Sequence, residues 1–219
     1  MKQESIKNAN KIKLIYVYDA LCGWCYGFSS VINQFAEKYE NDLIFEVISG
    51  GMVTGGRIGP IGEVVGYISW AYKDVENATG IKFGNNFLNK TLKDGKAIFT
   101  SIPPAIAMSV FKDLQPNSSI KFANELQKGF YFEGFEPEKY ENYGEIAQKF
   151  NLDKDDFILK MNDPIYINLA NLDFEKSNQL NVSGFPSVYI EINKIYYKIS
   201  SGYVPFKTLE DNYLTLIKN

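Results

Sequence analysis

Cys22 and Cys25 are the only cysteines in the chain, and two residues, Gly23 and Trp24, separate them. Residues three apart on a helix are neighbours, so this spacing lets two sulfurs close a disulfide without moving backbone elsewhere. The chemistry open to such a pair is thiol–disulfide exchange: one thiolate attacks a disulfide, a mixed disulfide forms, and the second thiol resolves it. The pair falls where a strand pattern passes into a helix pattern. A helix start offers unpaired N–H groups and the positive end of the helix dipole, and both favour a thiolate at Cys22. Cys22 is then the more exposed attacking thiol, and Cys25, a turn deeper, the resolving one. The motif holds no Lys, Arg or His, and Asp19, three residues upstream, brings a carboxylate that opposes the thiolate.

Other uses of two cysteines compete with this one. A purely structural disulfide gains little from so small a ring: loop entropy extrapolates to roughly 2 kcal/mol, against about 3 for a fifteen-residue loop. Zinc needs four ligands, and with two cysteines and no histidine the rest would have to come from Asp or Glu, so no metal is expected. Two inert buried thiols remain a third reading, since free Cys is often core. The missing histidine also removes Ser-His-Asp and Cys-His nucleophiles and histidine general bases, and most hydrolase readings fall with them.

The elements that must position the cysteines follow from hydrophobic pattern. Residues 12–18 form a short apolar, aromatic and β-branched run, which reads as a buried strand. Phe28, Val31, Ile32, Phe35 and Tyr39 share one face of a following helix, and residues 43–49 read as a second strand. A βαβ unit makes those strands parallel and brings the loop from Gly50, Gly51 and Met52 to Arg57 beside the cysteines, at the edge where open α/β sheets bind ligands. The loop is not a nucleotide site: no G-x-G-x-x-G can be written, and the Walker spacing ends in Arg57-Ile58 instead of Lys-Ser/Thr. Its glycines read as flexible residues shaping a groove, and Arg57, the only arginine in the chain, as a solvated charge or a groove residue.

From residue 59 to 180 the pattern is helical, punctuated by Gly, Pro and Asn. Helices are expected over 62–75 and 104–114, from a cap at Ser119, around Tyr143–Phe150, and from Asp163-Pro164. Strand signals return at 187–192 and 195–199 around a turn at Asn193-Lys194, and a last helix opens at Pro205. The expected architecture is α/β: a βαβ half at 12–58, an all-helical insertion at 59–180 covering the cysteine edge, and a ββα half at 181–219.

Composition agrees with a globular chain of 219 residues, 45% hydrophobic, 15% aromatic and 22% charged. A net charge of −3, a pI near 5.2 and scattered lysines give no footprint for nucleic acid or anionic lipid. Residues 1–11 are polar, without the apolar core of a signal peptide, and no run reaches a membrane span, so neither membrane nor nucleic acid is an expected partner and a cytoplasmic address is expected.

A strand, C-x-x-C at a helix start, a helical insertion and a ββα ending after Gly184-Phe185-Pro186 together resemble the DsbA-like branch of the thioredoxin superfamily. The chain is similar to a DsbA-like group of predicted disulfide isomerases in residues 19–27, in Gly50-Gly51-Met52, in 79–84 and in 130–134. The resemblance implies a thioredoxin-like fold and a protein disulfide oxidoreductase, reductase or isomerase in direction, acting on polypeptides or small thiol and disulfide substrates without a bound cofactor and served by a recycling redox partner. It also implies a cis Phe185–Pro186 bond with the Phe185 backbone facing Cys22, offering a substrate chain an edge for strand-like pairing. Two departures narrow this. The best-known DsbA oxidants carry Pro-His between the cysteines, where this chain has Gly23-Trp24. Glutathione-dependent isomerases and transferases of the same branch usually have serine in place of the first cysteine. They remain the alternative, together with a non-catalytic binding protein that uses an aromatic groove.

Overall fold

In a computed structural model, the structure describes residues 12–218; the polar segment 1–11, on which the leader reading rests, lies outside them. Four strands form the central sheet in the order β2-β1-β5-β6: β1 Ile12–Tyr18, β2 Leu43–Ser49, β5 Ser187–Ile192 and β6 Ile195–Ser201. β1 and β2 run parallel with Tyr18 opposite Ser49, so both strands end at one edge. β5 pairs antiparallel to β1 and hands over to β6 through Asn193-Lys194, both at positive φ. Asn tolerates that conformation, which suits a tight hairpin turn.

From Leu14 to Tyr18 β1 carries only apolar and aromatic residues, all buried, because both of its faces are covered there. Leu14, Tyr16 and Tyr18 point into the main core with helix α1 (Gly23–Lys38), while Ile15 and Val17 join Ile48 and Tyr189 on the other face. α1 buries Phe28, Val31, Ile32 and Phe35 against this sheet. The last helix, α8 (Phe206–Lys218), adds Leu209 and Tyr213 to the same layer.

The stretch between β2 and β5 is helical apart from a two-residue ribbon, β3 Gly59–Pro60 paired with β4 Ile98–Phe99. Its longer helices are α2 Val65–Thr79, α3 Ile102–Leu114, α4 Ser119–Lys128, α5 Tyr140–Gln148, α6 Lys154–Met161 and α7 Pro164–Gln179. Asp163 caps α7 as expected, its carboxylate accepting the Ile165 N–H. Ser119 does not cap α4: Ser118 holds that position, and the Ser119 hydroxyl donates to the Pro116 carbonyl instead.

An ion pair within this block is anchored on the sheet, beside the direct Lys176–Glu46 pair at 2.7 Å. Lys112 of α3 donates to both carboxylate oxygens of Asp173 on α7, at 2.8 and 2.7 Å, and to the Val47 carbonyl of β2 at 3.2 Å, while Asp173 accepts the Ser49 N–H. Burial raises the Asp173 carboxyl above its ordinary value despite Lys112. Removing either partner would strand a mostly buried charge, so the pair fixes how the helices sit on β2.

Candidate active site

Cys22 is the N-cap of α1, at the helix start that the pattern predicted. Its backbone is extended, with φ −91° and ψ 113°, and its N–H donates to the Asp19 carbonyl at 3.1 Å. The three-residue loop from Asp19 closes the strand-to-helix corner and carries the sulfur to the sheet edge. Cys22 is 7% exposed and Cys25 fully buried, and both thiols are free. Burial first, and then the neighbouring Cys22 sulfur, pushes the Cys25 thiol well above its ordinary value.

Opposite Cys22 lies the β5 loop. The Phe185–Pro186 bond is cis, the geometry implied by the family resemblance, and the Cys22 sulfur sits 3.5 Å from the Phe185 carbonyl oxygen. The Gly50-Gly51 corner supports this loop from behind. A Cβ on Gly50 would stand 2.2 Å from the Phe185 ring, and Gly51, at φ +69°, backs onto Phe174. These glycines are required by close packing, not used for flexibility, and neither lines the cleft beside Cys22.

Asp19 also holds this corner together. Its buried carboxylate accepts the Leu21 and Met52 N–H groups at 2.9 and 2.7 Å and the Ser101 hydroxyl at 2.9 Å. It thereby joins the cysteine loop, the glycine loop and the start of α3. Burial raises its carboxyl from the ordinary value even with these donors in place.

A cleft of about 680 Å³ opens beside Cys22. Gly23, Trp24, Met52 and Arg57 line it, as does Phe185. Arg57 is exposed at the cleft, its guanidinium 3.4 Å from the Gly51 carbonyl. The opposite wall comes from the helical block: Tyr67 and Tyr72 of α2, with Phe83 and Tyr131. Tyr67 is 59% exposed, and Trp70 beside it on α2 is 57% exposed. Among the described residues no group of three or more His, Cys, Asp or Glu is placed to hold a metal ion.

Sequence reasoning assigned no site role to Tyr131 and Phe83, yet both fall within the segments 130–134 and 79–84 that carried the resemblance. The structure docks those segments on each other: the Gly84 N–H donates to the Tyr131 carbonyl at 2.9 Å, and a Cβ on Gly84 would overlap the Phe132 carbonyl. A π-helical turn, Gly129–Glu133, aims the Tyr131 hydroxyl at the Leu21 carbonyl, to which it donates. Tyr131 also stacks on Tyr26 at 5.4 Å, with Phe83 edge-on to Tyr26 at 5.3 Å. The signal was therefore present as glycine and aromatic spacing, without a way to know that the two segments meet at Leu21.

No protein-family model matches the chain, and no curated protein matches it in sequence. Solved structures do. A Nitrosomonas europaea protein described as a "putative protein disulfide isomerase" superposes with a TM-score of 0.85 at 23% identity, over 95% of this chain and 98% of that one. The cytosolic disulfide reductase DsbM of Pseudomonas aeruginosa gives 0.80 at 25% identity, over 94% of this chain and all (100%) of that one. The structure of DsbM with GSH gives 0.77 at 23% identity, over 94% and 98%. With its βαβ and ββα halves in one sheet and a helical block between them, the chain has the DsbA-like fold of the thioredoxin superfamily.

Proposed function

We propose that this protein is a thiol–disulfide oxidoreductase in which Cys22 attacks and Cys25 resolves, working as a reductase or isomerase. The observation that carries the reading is the position of the Cys22 sulfur, at a helix N-cap and 3.5 Å from the Phe185 carbonyl, with Cys25 buried behind it. A polypeptide laid along residue 185 would place its own disulfide in front of Cys22. Burial keeps Cys25 protonated until a mixed disulfide has formed, which fits a resolving thiol.

The substrates proposed are polypeptide disulfides and small thiols. The mostly apolar wall of Tyr67, Tyr72 and Phe83 suits side chains of an unfolded segment, and the structure of DsbM with GSH supports the small-thiol side. A recycling redox partner is part of the proposal, because an enzyme that reduces must be reduced again. A cytoplasmic address is part of the proposal, supported by the cytosolic naming of DsbM. Among the described residues no helix is long and apolar enough to cross a membrane. The test is turnover of a disulfide-bonded polypeptide with a glutathione or thioredoxin-type reductant, using wild type and the Cys22→Ser and Cys25→Ser chains. Turnover lost in both variants supports the reading. Turnover retained without either thiol refutes it and leaves the aromatic cleft as a binding surface.

A further inference from the structure

Two buried side chains of the helical block reach the loop that carries Cys22. Gln127 of α4 donates from its amide nitrogen to the Asp19 carbonyl at 3.4 Å, and Tyr131 donates from its hydroxyl to the Leu21 carbonyl. The Tyr131 ring packs among Tyr26, Phe83 and Phe87, with centroids at 5.4, 5.1 and 5.1 Å. Phenylalanine would fill that place as well; only the hydroxyl reaches the loop.

The Leu21 carbonyl and the Cys22 N–H belong to one planar peptide unit, so they turn together. That unit is held at both ends, the carbonyl by Tyr131 and the N–H by the Asp19 carbonyl at 3.1 Å. Asp19 is itself fixed, its carboxylate accepting the Met52 N–H and the Ser101 hydroxyl. The loop side thus anchors one end of the unit, and Tyr131 anchors the other. Rotating the unit would change φ at Cys22 and swing its sulfur from its place 3.5 Å from the Phe185 carbonyl.

We propose that Tyr131 is a positioning residue for exchange: its hydroxyl locks the Leu21–Cys22 peptide and so holds the Cys22 sulfur in the orientation from which it attacks. The proposal rests on the exchange reading above. In the step it serves, Cys22 gives up its proton and its sulfur bonds to one sulfur of the substrate disulfide. The substrate S–S bond breaks, and its electron pair leaves with the other sulfur, which takes up a proton as a free thiol. Such bond making depends on placement, and a shift of about 1 Å costs on the order of a hundredfold. Tyr131 transfers no proton in this step. Its ring lines the cleft beside Cys22, so one side chain belongs both to the substrate's wall and to the hold on the attacking sulfur.

The experiment compares Tyr131→Phe with Tyr26→Phe in the Cys25→Ser chain, where the mixed disulfide accumulates. Tyr26 is the matched control: it sits in the same aromatic cluster, and its hydroxyl donates to the Lys82 carbonyl at 3.0 Å instead of to the cysteine loop. One readout is the rate of mixed-disulfide formation with glutathione disulfide and with the small neutral bis(2-hydroxyethyl) disulfide. The other is hydrogen exchange of the Cys22 amide, compared with the β1 amides. Tyr131→Phe is expected to slow attack roughly tenfold or more with both disulfides. It should also speed exchange at the Cys22 amide by about fivefold beyond any change in β1, because the peptide has lost one of its two holds. Tyr26→Phe should leave both readouts at the parent's values. Either readout unchanged in Tyr131→Phe overturns the proposal, and so does equal slowing in Tyr26→Phe. Slowing confined to glutathione disulfide overturns it too, since Tyr131 would then act only as cleft wall. Loss of the fold in Tyr131→Phe has the same force, because the hydroxyl would then be structural. A parent chain that forms no mixed disulfide fails the exchange reading itself, and the amide readout alone then decides whether Tyr131 holds Cys22.

Discussion

The Cys22 sulfur lies 3.5 Å from the carbonyl oxygen of Phe185, a residue 163 positions away. That contact joins the two halves of the sheet at the edge that carries the cysteines. A helix start alone would leave a reactive sulfur without a place for a substrate chain, and a proline loop alone would leave a binding edge without chemistry.

The two thiols should behave unequally because one caps the helix and the other is buried behind it. Cys25→Ser is expected to accumulate mixed disulfides through Cys22 with glutathione or a peptide disulfide, and Cys22→Ser is not. Mass spectrometry of the trapped adducts checks this. Equal trapping by the two variants would refute the assignment.

Gly50→Ala should damage the site from behind. Its Cβ would overlap the Phe185 ring at 2.2 Å, whereas a Cβ on Gly56 meets nothing within 4 Å. Urea unfolding is expected to show a loss of about 1–3 kcal/mol for Gly50→Ala, the usual cost of overpacking. Exchange should slow with it, since the Phe185 ring that lines the cleft must shift, and Gly56→Ala should match wild type in stability.

The outline of the fold was legible because apolar periodicity is strong where both faces of a strand are covered, as in residues 12–18. Both ends of the chain's pattern, βαβ and ββα, could be read from it. The short helix Lys154–Met161 gave no such signal, because only Phe157 and Met161 of its eight residues are buried. At the site, the cysteines and Pro186 could be named from motif and resemblance. The role of Asp19 could not, since its partners Met52 and Ser101 lie 33 and 82 positions away and only folding brings them together. Gly50 and Gly51 were misread as flexible for the same reason: the rings that require them come from Phe185 and Phe174.

Asp19 gives a pH dependence with a definite sign. Burial raises its folded pKa above the unfolded value, so the folded chain holds that proton more tightly. Its contribution is fully present below about 3.9, the ordinary Asp value, and is lost as pH rises through the higher folded value. Stability measured by denaturant between those limits should therefore fall with rising pH more steeply in wild type than in Asp19→Asn, whatever the substitution does to absolute stability. A steeper fall in the variant would contradict the assignment.

Arg57 should matter for charged small thiols only. It is exposed at the cleft wall, where one guanidinium contributes up to about 1 kcal/mol to an anionic ligand. Arg57→Ala is expected to raise the KM for glutathione by up to about fivefold and to leave turnover with dithiothreitol, which carries no carboxylate, unchanged. Equal loss with both reductants would assign Arg57 to the loop's structure instead.

The central claim is that Cys22 and Cys25 form one reversible two-electron couple. Equilibrating the protein in glutathione buffers of graded redox ratio, quenching with acid and alkylating the free thiols measures it directly. The predicted result is a single transition in which both thiols disappear together as an internal disulfide, reversed by raising the reduced glutathione. Two thiols that stay free across the whole range, or that end only as separate glutathione adducts, would contradict it.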